Sequence, residues 1–465
     1  MKKWNVMLLV AEDTGRNLGC YGDAAAHTPA IDGLSREGAR YTTACSTAPV
    51  CAPSRSALVL GKYQWSVGSH HMRSTLLKPP RLFTQELRDA GYYVNWSNKT
   101  DFNFEPPTAF ADDRRDWFND LAAGKLNDRP WFLYHNFHIT HESQMWPEEW
   151  EKNVAPQLAA SERCDPAAVP VPEYLPDTPK VRADIARHYD CLRLQDRQIA
   201  RALDALDRSG QRDNTIVIYL SDHGRGLVRE KRWCYDAGAN LPLIIRWPGG
   251  IAPGTVADEP VSWVDIAPTL LSILNLPVPD DYQGRVFLGE HRTPGEREYA
   301  FSGRDRMDEA FDRVRTARNR RFRYIRNLFP QLPYAQRNHY MEKQQTTCEV
   351  RELGAAGKLN AAQGAWLAEA KPAEELYDCL ADPDNVRNLA ADTAYADTLT
   401  QMRAALDTFL EESGDKGRLP ERELIAQGLV ADRLEEYGAR IEPLPPHLRI
   451  GPERTVLEMP ETREA

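Results

Sequence analysis

The sequence lacks long apolar runs, paired-cysteine motifs, internal repeats and any excess of positive charge. No stretch is long and apolar enough to span a bilayer, so no membrane partner is predicted. The formal net charge of −10 argues against a protein whose main partner is nucleic acid or an anionic membrane surface. The eight cysteines are scattered without a Cys-x-x-Cys pair, which indicates neither a zinc site nor a dense disulfide framework. What remains is a globular composition, 42% hydrophobic and 27% charged over 465 residues, enough for one large core and a smaller domain.

The first apolar segment, 1–10, is short and runs directly into Ala11, Glu12 and Asp13 without a small-residue cleavage site. It therefore predicts a buried first strand and not a secretory signal. Two localisations stay open, cytoplasmic or, if a leader has been removed, periplasmic or secreted.

Apolar β-rich runs alternate with helical patterns over about the first 275 residues, which predicts an α/β domain over 1–295 with a mostly parallel sheet flanked by helices. The predicted strands are Trp4–Ala11, Tyr92–Ser97, Trp131–Phe137, Thr215–Ser221 and Leu241–Trp247. The predicted helices are Ser54–Leu60, Leu82–Ala90, Val181–Ser209 and Trp263–Leu274.

The pattern changes after Gly295, where short strands indicate a smaller C-terminal α+β domain over 296–415, built on an antiparallel sheet. Its predicted strands are Glu298–Ser302, Asp312–Ala317, Phe322–Asn327 and Leu376–Asp378, and a helix is predicted over Ala394–Ser413. Residues 416–465 form a charged, proline-containing extension that we expect to lie on the body or on a neighbouring subunit of a homo-oligomer.

Four predicted strands of the first domain end in polar clusters. These clusters are Glu12-Asp13, Asn98-Lys99-Thr100-Asp101, His138-Ile139-Thr140-His141 and Asp222-His223-Gly224. One such cluster alone is usually a structural turn. Ligand sites of open α/β sheets lie beyond the carboxyl ends of the strands, so four clusters together predict a functional site there.

Two of these clusters suit a metal ion. Glu12, Asp13, Asp222 and His223 supply three carboxylates and one imidazole from two strands. Such oxygen-dominated donors favour a hard divalent cation, Ca²⁺ first and Mn²⁺ second.

Cys51 is the one cysteine with a predicted chemical role. It begins a helical segment with Pro53 in the first turn, and Arg55 lies one turn further on. The helix N-terminus and Arg55 favour an anion at this position. From these residues alone, a thiol of lowered pKa at a helix cap is the preferred explanation.

The segment Cys51-Ala-Pro-Ser-Arg55 is followed by Leu58 and Gly61-Lys62. This segment resembles the signature of the sulfatase family of the alkaline phosphatase superfamily, and within it the bacterial carbohydrate sulfatases. Further segments similar to that family are 28–38, 221–224, 241–249, 264–269 and 375–389, whereas the sequence after about residue 415 has no similar counterpart. The resemblance implies an alkaline phosphatase-like fold, oxidation of Cys51 to formylglycine by a formylglycine-generating enzyme, and one bound divalent cation.

The resemblance also implies roles for individual residues. Asp13 and Asp222 match metal ligands, Glu12 replaces an aspartate, and His223 occupies a position that is asparagine or histidine in relatives. The implied catalytic residues are Cys51, Arg55, Lys99, His141 and Lys231. His141 matches the histidine near the leaving-group oxygen, and Asp101 replaces a histidine that contacts formylglycine in relatives. Arg229 and Arg232 are alternatives to Lys231.

The implied reaction is hydrolysis of a sulfate ester, on a carbohydrate first and on an aryl group second. Predicted substrate-binding residues are His70, His71, Asp101, His138, Arg304, Arg306 and Asp308, although Arg304 and Asp308 could instead pair with each other. Two alternatives stay open. One is a phosphonate monoester or phosphodiester hydrolase of the same superfamily, and the other is a non-catalytic sulfoglycan-binding relative whose cysteine is never converted.

Overall fold

The computed structural model describes residues 3–439, 441 and 455–460. Its strands are β1 (Asn5–Ala11), β2 (Ala39–Tyr41), β3 (Ala44–Cys45), β4 (Tyr93–Trp96), β5 (Trp131–Phe137), β6 (Thr215–Ser221), β7 (Leu243–Arg246), β8 (Thr255–Ala257), β9 (Val261–Ser262), β10 (Ala300–Arg304), β11 (Val314–Arg318), β12 (Phe322–Asn327) and β13 (Glu374–Asp378). Its α-helices are α1 (Pro29–Glu37), α2 (Cys51–Leu60), α3 (Gln64–Val67), α4 (Phe83–Asp89), α5 (Phe118–Ala122), α6 (Pro147–Asn153), α7 (Pro179–Arg208), α8 (Asp236–Ala239), α9 (Ile266–Ile273), α10 (Gln345–Ala355), α11 (Ala361–Gly364), α12 (Ala396–Ser413), α13 (Glu421–Ala426) and α14 (Leu434–Gly438).

The central sheet has seven strands in the order β4-β5-β1-β6-β7-β2-β8. Strand β1 lies between β5 and β6 and runs parallel to both, with Ala11 opposite Phe137 and Ser221. Strand β7 is antiparallel to β6. Because three parallel strands end in register, the residues that follow them meet at one edge of the sheet.

Side-chain alternation along β1 builds two hydrophobic cores. Every residue of β1 is buried. Met7 and Leu9 point into one core with the long helix α7, whereas Val6 and Leu8 point into the other. Burial on both faces explains why the sequence of β1 is a nearly continuous apolar run, and the predicted buried first strand agrees with the structure.

The second sheet is antiparallel, in the order β10-β11-β12-β13. Helix α12 packs Leu399, Met402 and Leu406 against Tyr324 and Leu376 of this sheet. The predicted fold class, a mostly parallel sheet plus a smaller antiparallel one, is confirmed. The domain boundaries at 295 and 415 stay predictions. The short strands β2, β3, β8 and β9 and the helix α10 were not predicted from the sequence.

The described part of the C-terminal extension packs on its own chain. Val430 forms an antiparallel bridge with Leu76. The buried guanidinium of Arg306 donates two hydrogen bonds of 2.7 Å to the carboxylate of Glu421. Residues 440, 442–454 and 461–465 of the predicted extension lie outside the described residues, and its role in a homo-oligomer stays a prediction. Within the described ranges, no helix combines the length and apolar character needed to cross a bilayer.

Candidate active site

Cys51 is the first residue of the buried helix α2 and is itself 1% exposed. The helix ends at Gly61, which has φ 63° and donates its N–H to the carbonyl of Ala57. A Cβ at Gly61 would lie 2.9 Å from the ring of Tyr282. Both the left-handed conformation and the close approach require glycine here, so the signature glycine fixes where the helix ends.

Two other signature residues hold α2 against the end of β6. The hydroxyl of Ser54 donates to the carbonyl of Asp222 at 2.7 Å. Arg55 donates through Nε and Nη2 to Oδ2 of Asp222, at 3.0 and 2.8 Å. Its remaining donors reach Tyr134 and Asn136 at 2.7 and 2.6 Å. The sequence analysis placed Arg55 among the catalytic residues as a cation that favours an anion at the helix N-terminus, whereas its buried guanidinium binds Asp222 and holds it in place.

Asp13, Cys51, Asp222 and His223 form a compact donor cluster at the sheet edge. One ligand atom from each lies within 4.8 Å of all the others. The Sγ of Cys51 lies 3.0 Å from Nε2 of His223, which lies 3.3 Å from Oδ1 of Asp13. That Oδ1 is buried and accepts no hydrogen bond. An unsatisfied buried carboxylate oxygen beside three further donors fits a bound cation.

The electrostatics of the cluster also fit a cation. Burial alone would lower the pKa of His223, but Asp222, Cys51 and Asp13 raise it to about 9. Burial alone would raise the pKa of Asp222, but His223 and Arg55 hold it below its usual value. The surroundings therefore favour positive charge at this point, and a divalent cation would supply it while leaving the imidazole neutral as a ligand.

Glu12 is not brought into this cluster, contrary to the predicted four-residue ligand set. Its Oε1 accepts from Nδ2 of Asn136 at 2.5 Å and lies 3.1 Å from Nζ of Lys99. Its Oε2 lies 3.0 Å from Nδ1 of His138. The extra methylene of glutamate carries the carboxylate past the cluster to the ends of β4 and β5. Burial would raise the pKa of Glu12, but His138, Lys99 and Arg55 hold it well below its usual value.

Lys231 contacts the donor cluster directly. Its Nζ lies 2.7 Å from Oδ2 of Asp13 and 2.6 Å from Oε1 of Glu142. Although burial would lower the pKa of Lys231, the charges of Asp13, Cys51 and Glu142 raise it well above its usual value. Neither of the two alternatives to Lys231 is paired with Asp13. Arg229 packs over the ring of Tyr235 at 3.8 Å, and Arg232 pairs with Glu142 at 2.7 Å.

His141 lies in a 3₁₀ turn region after β5, next to His138. The two rings stack with centroids 5.0 Å apart, and Nδ1 of His141 lies 2.8 Å from the hydroxyl of Ser143. Ligand atoms of His141, Asp13 and Glu142 lie within 4.8 Å of one another. Burial lowers the pKa of His141 to about 4, despite the opposing charge of Asp13. The imidazole is therefore neutral near pH 7 before an anion binds.

The sequence reasoning missed Glu142 and Asn136. Glu142 is buried, and its backbone N–H donates to Asp13 at 2.8 Å while its carboxylate holds Lys231 and Arg232. Both residues had a usable signal. Glu142 directly follows His141, and Asn136 lies at the carboxyl end of β5, where site residues were expected.

Four of the predicted substrate-binding residues point into the protein. His70 and His71 are each 1% exposed, and His71 accepts a hydrogen bond from the backbone N–H of Arg306 at 3.2 Å. Arg304 donates to the carbonyl of Arg232 at 2.9 Å, and Arg306 is bound to Glu421. These side chains stabilise the packing of the second sheet and the C-terminal extension instead of forming a recognition wall.

The other three predicted substrate-binding residues lie at the mouth of the site. The side chain of His138 is 61% exposed, and those of Asp101 and Asp308 are 15% and 14% exposed. Asp308 does not pair with Arg304 as the sequence suggested. It lies 3.8 Å from Nε of Arg73, a residue that the sequence analysis did not identify.

Taken together, the arrangement suits transfer of an anionic tetrahedral group. It combines a nucleophile position at a helix N-terminus, donors for a cation, two charged lysines and an imidazole. Cations and helix N-termini stabilise the oxygens of such a group.

Comparisons with known proteins agree with this chemistry. The family described as Sulfatase matches residues 4–276. An ulvan-active sulfatase of Formosa agariphila is 36% identical, over 90% of this chain and 77% of that protein. The fold is shared with a protein that was solved in complex with its substrate D-glucosamine-2-N,6-O-disulfate. The two structures superimpose with a TM-score of 0.64 and 18% sequence identity, and the match covers 89% of this chain and 99% of that one. A phosphonate monoester hydrolase from Silicibacter pomeroyi has the same TM-score and identity, covering 89% of this chain and 96% of that one.

Proposed function

Because this chain belongs to the sulfatase family and is therefore a sulfuric ester hydrolase, we propose that it releases sulfate from a carbohydrate through formylglycine derived from Cys51. The observation that carries the proposal is the cluster of Asp13, Cys51, Asp222 and His223, with Lys231 against it. The ulvan-active relative supports a sulfated polysaccharide, or an oligosaccharide made from one, as the substrate.

Asp13, Asp222, His223 and residue 51 would hold one divalent cation, and their oxygen-rich donors favour Ca²⁺ over Mn²⁺. When bound, such a cation polarises sulfate oxygens and lowers the pKa of a nearby hydroxyl. Hydrated formylglycine supplies two hydroxyls on one carbon, of which one attacks sulfur and the other, on losing its proton, releases sulfate.

The remaining residues bind the sulfate group and handle a proton. Lys99 pairs with Glu12 and Lys231 pairs with Asp13. From these positions the two ammonium groups would stabilise the sulfate oxygens. His141 would donate a proton to the departing sugar oxygen. Burial lowers the pKa of His141 to about 4 without substrate, and the negative charge of a bound sulfate ester acts in the opposite direction. To act as the acid, His141 would have to take up its proton together with the substrate.

The proposed function is tested by comparing substrates on the metal-loaded protein, co-produced with a formylglycine-generating enzyme. The substrates are sulfated ulvan oligosaccharides, 4-nitrophenyl sulfate and a 4-nitrophenyl phosphonate monoester. We expect a higher kcat/KM on the sulfate esters, with sulfate release from the oligosaccharides measured by ion chromatography. A higher kcat/KM on the phosphonate would establish the phosphonate monoester hydrolase alternative instead.

Peptide mass spectrometry over residue 51 separates the enzyme from a non-catalytic relative. The expected mass is that of formylglycine or its hydrate at this position. A protein that hydrolyses sulfate esters with an entirely unconverted thiol would refute the proposed nucleophile. An unconverted thiol together with sulfoglycan binding and no turnover would establish the binding-protein alternative.

Substitution of His141 is expected to slow two kinds of substrate by different factors, whereas substitution of Lys99 is expected to slow both by the same factor. A sugar alkoxide is a poor leaving group that needs a proton, whereas nitrophenolate leaves without one. His141→Ala should therefore lower kcat/KM by about a hundredfold on a sugar sulfate and only a few-fold on 4-nitrophenyl sulfate. Lys99→Ala removes a cation from the sulfate oxygens, which both substrates share, and should lower both by about a hundredfold.

Lys125→Ala is a suitable control for Lys99→Ala, because Nζ of Lys125 pairs with Asp120 on the surface. This control should leave both rates unchanged. Equal losses on the two substrates for His141→Ala would reject its role as the acid, and Lys231 would become the better candidate.

A further inference from the structure

A chain of alternating charges leads outward from the active site. Lys99 lies 3.1 Å from Glu12 and 3.6 Å from Asp101, measured between side-chain nitrogen and oxygen atoms. Arg73 then donates to Oδ1 of Asp101 at 3.0 Å, and its Nε lies 3.8 Å from Asp308. The side chain of Lys99 is 22% exposed and that of Arg73 is 46% exposed, so the chain reaches solvent at Arg73. Arg73 is therefore a guanidinium at the mouth of the site.

The backbone around Arg73 is held in a conformation that arginine does not favour. Arg73 has φ 69°, and Asp101 and Asp308 have φ 50° and 52°. The N–H of Arg73 donates to Oδ1 of Asn103 at 3.1 Å, and its carbonyl accepts a hydrogen bond from the hydroxyl of Tyr437. Left-handed backbone at non-glycine residues persists only where neighbouring structure imposes it, and such residues concentrate at ligand sites.

The charges around Arg73 decide which chemical group it can bind. Along the chain from Glu12 to Asp308, three carboxylates face two cations. A second anionic group of the substrate would gain nothing from this surrounding field, since the positive charge of Arg73 is already balanced. The side chain of Arg73 is nevertheless 46% exposed, and Asp308 is partly exposed beside it as an acceptor. A donor and an acceptor side by side match a neutral sugar hydroxyl.

We propose that Arg73 is a specificity-determining residue that donates hydrogen bonds to neutral hydroxyl oxygens of the sugar whose sulfate is removed, with Asp101 and Asp308 orienting its guanidinium. This inference rests on the proposed function and deepens it. Arg73 is linked through Asp101 to Lys99, which places its guanidinium just beyond a residue that is proposed to bind the sulfate. Residues 430 and 437 of the C-terminal extension hold the same loop in place, so the extension helps to build the substrate entrance.

The test compares Arg73→Ala and Arg73→Lys on sulfated ulvan oligosaccharides and on 4-nitrophenyl sulfate, which has no sugar hydroxyls. Hydrogen bonds to charged groups are strong, so Arg73→Ala should lower kcat/KM on the oligosaccharide about tenfold to a hundredfold. The rate on 4-nitrophenyl sulfate should change by less than about threefold, which also shows that the variant is folded and formylglycine is intact. Arg73→Lys should not restore the oligosaccharide rate, because an ammonium lacks the planar donor fork.

Arg81→Ala is the matched control. The side chain of Arg81 is 48% exposed and, like Arg73, pairs with two carboxylates. These belong to Glu86 and Asp89 of helix α4, which supplies no predicted site residue. Arg81→Ala should leave both rates unchanged. Equal losses on both substrates for Arg73→Ala would overturn the proposal, because they would indicate a purely structural role. Failure of the unsubstituted protein on every sulfate ester would instead refute the proposed function.

Salt dependence distinguishes a neutral partner from an anionic one. The ratio of wild-type to Arg73→Ala kcat/KM on the oligosaccharide should stay constant between about 0.05 and 0.5 M NaCl, because hydrogen bonds to a hydroxyl are not screened. A ratio that falls towards one at high salt would show that Arg73 binds a second anionic group, and the assignment to a hydroxyl would be wrong.

Discussion

Asp222→Asn is expected to abolish cation binding and to lower kcat/KM on every sulfate ester by at least about a thousandfold, since a bound metal supplies several kcal/mol of transition-state stabilisation. Asp222 belongs to the donor cluster, accepts the N–H of Asp13 at 3.1 Å and holds Arg55. Asparagine keeps the shape of the side chain but removes its charge. Alanine would remove the carboxylate that pairs with the buried Arg55 and leave its guanidinium hydrogen-bonded only to the neutral acceptors Tyr134 and Asn136, which would also destabilise the fold.

The measurement is metal content by elemental analysis together with kcat/KM before and after chelation. Chelated wild-type protein should lose activity and regain it when Ca²⁺ or Mn²⁺ is added. The kcat/KM restored by each cation shows which of the two the site prefers. Asp196→Asn is the control, because Asp196 is a buried carboxylate that accepts the N–H groups of Ala30 and Ile31 away from the cluster. Full activity in a protein shown to be metal-free would contradict the assignment.

Cys51→Ser is expected to reduce turnover by about ten-thousandfold or more, as the loss of a catalytic nucleophile commonly does. The serine hydroxyl can still attack sulfur, forming a bond from Oγ to sulfur as the sugar oxygen departs with a proton. Serine has no second hydroxyl on the same carbon, so sulfate cannot be expelled and the enzyme stops after one sulfuryl transfer. The variant should therefore gain the mass of one sulfuryl group on residue 51.

Intact-protein mass spectrometry after incubation with 4-nitrophenyl sulfate measures this change. Cys51→Ala provides the control, because it removes the nucleophile and should gain no mass. Sustained turnover by Cys51→Ser at a rate near that of the wild type would show that formylglycine is not required, and the proposed mechanism would be wrong.

Much of the scaffold could be predicted from local sequence. Strands β1, β5 and β6 are almost wholly buried and rich in apolar and aromatic residues, so their carboxyl ends were located to within a residue. Since β1 pairs in parallel with both neighbours, those ends converge with Glu12, His138 and Asp222 following them. The short strands β2 and β8 escaped prediction because three residues carry no readable periodicity.

The direction of individual charged side chains was less predictable. Arg55 and Glu12 were both assigned by position, but Arg55 turns inward onto Asp222 and Glu12 reaches towards Lys99. Both are buried ions, and a buried ion adopts whichever rotamer gives it a partner. That choice depends on groups far away in the chain.

The sequence by itself determined the longer strands of the central sheet, the helix that begins at Cys51 and the polar residues at the strand ends, because backbone periodicity and strand-end position are local properties. Only the tertiary structure decided which of those residues share the cation cluster, that Arg304 and Arg306 serve packing, and that Arg73 reaches the mouth of the site. Charged side chains are long and pair with partners from distant segments, here from β10 to the C-terminal extension. Their roles are fixed by which partners the fold brings within hydrogen-bonding distance, and no local pattern in the chain encodes that.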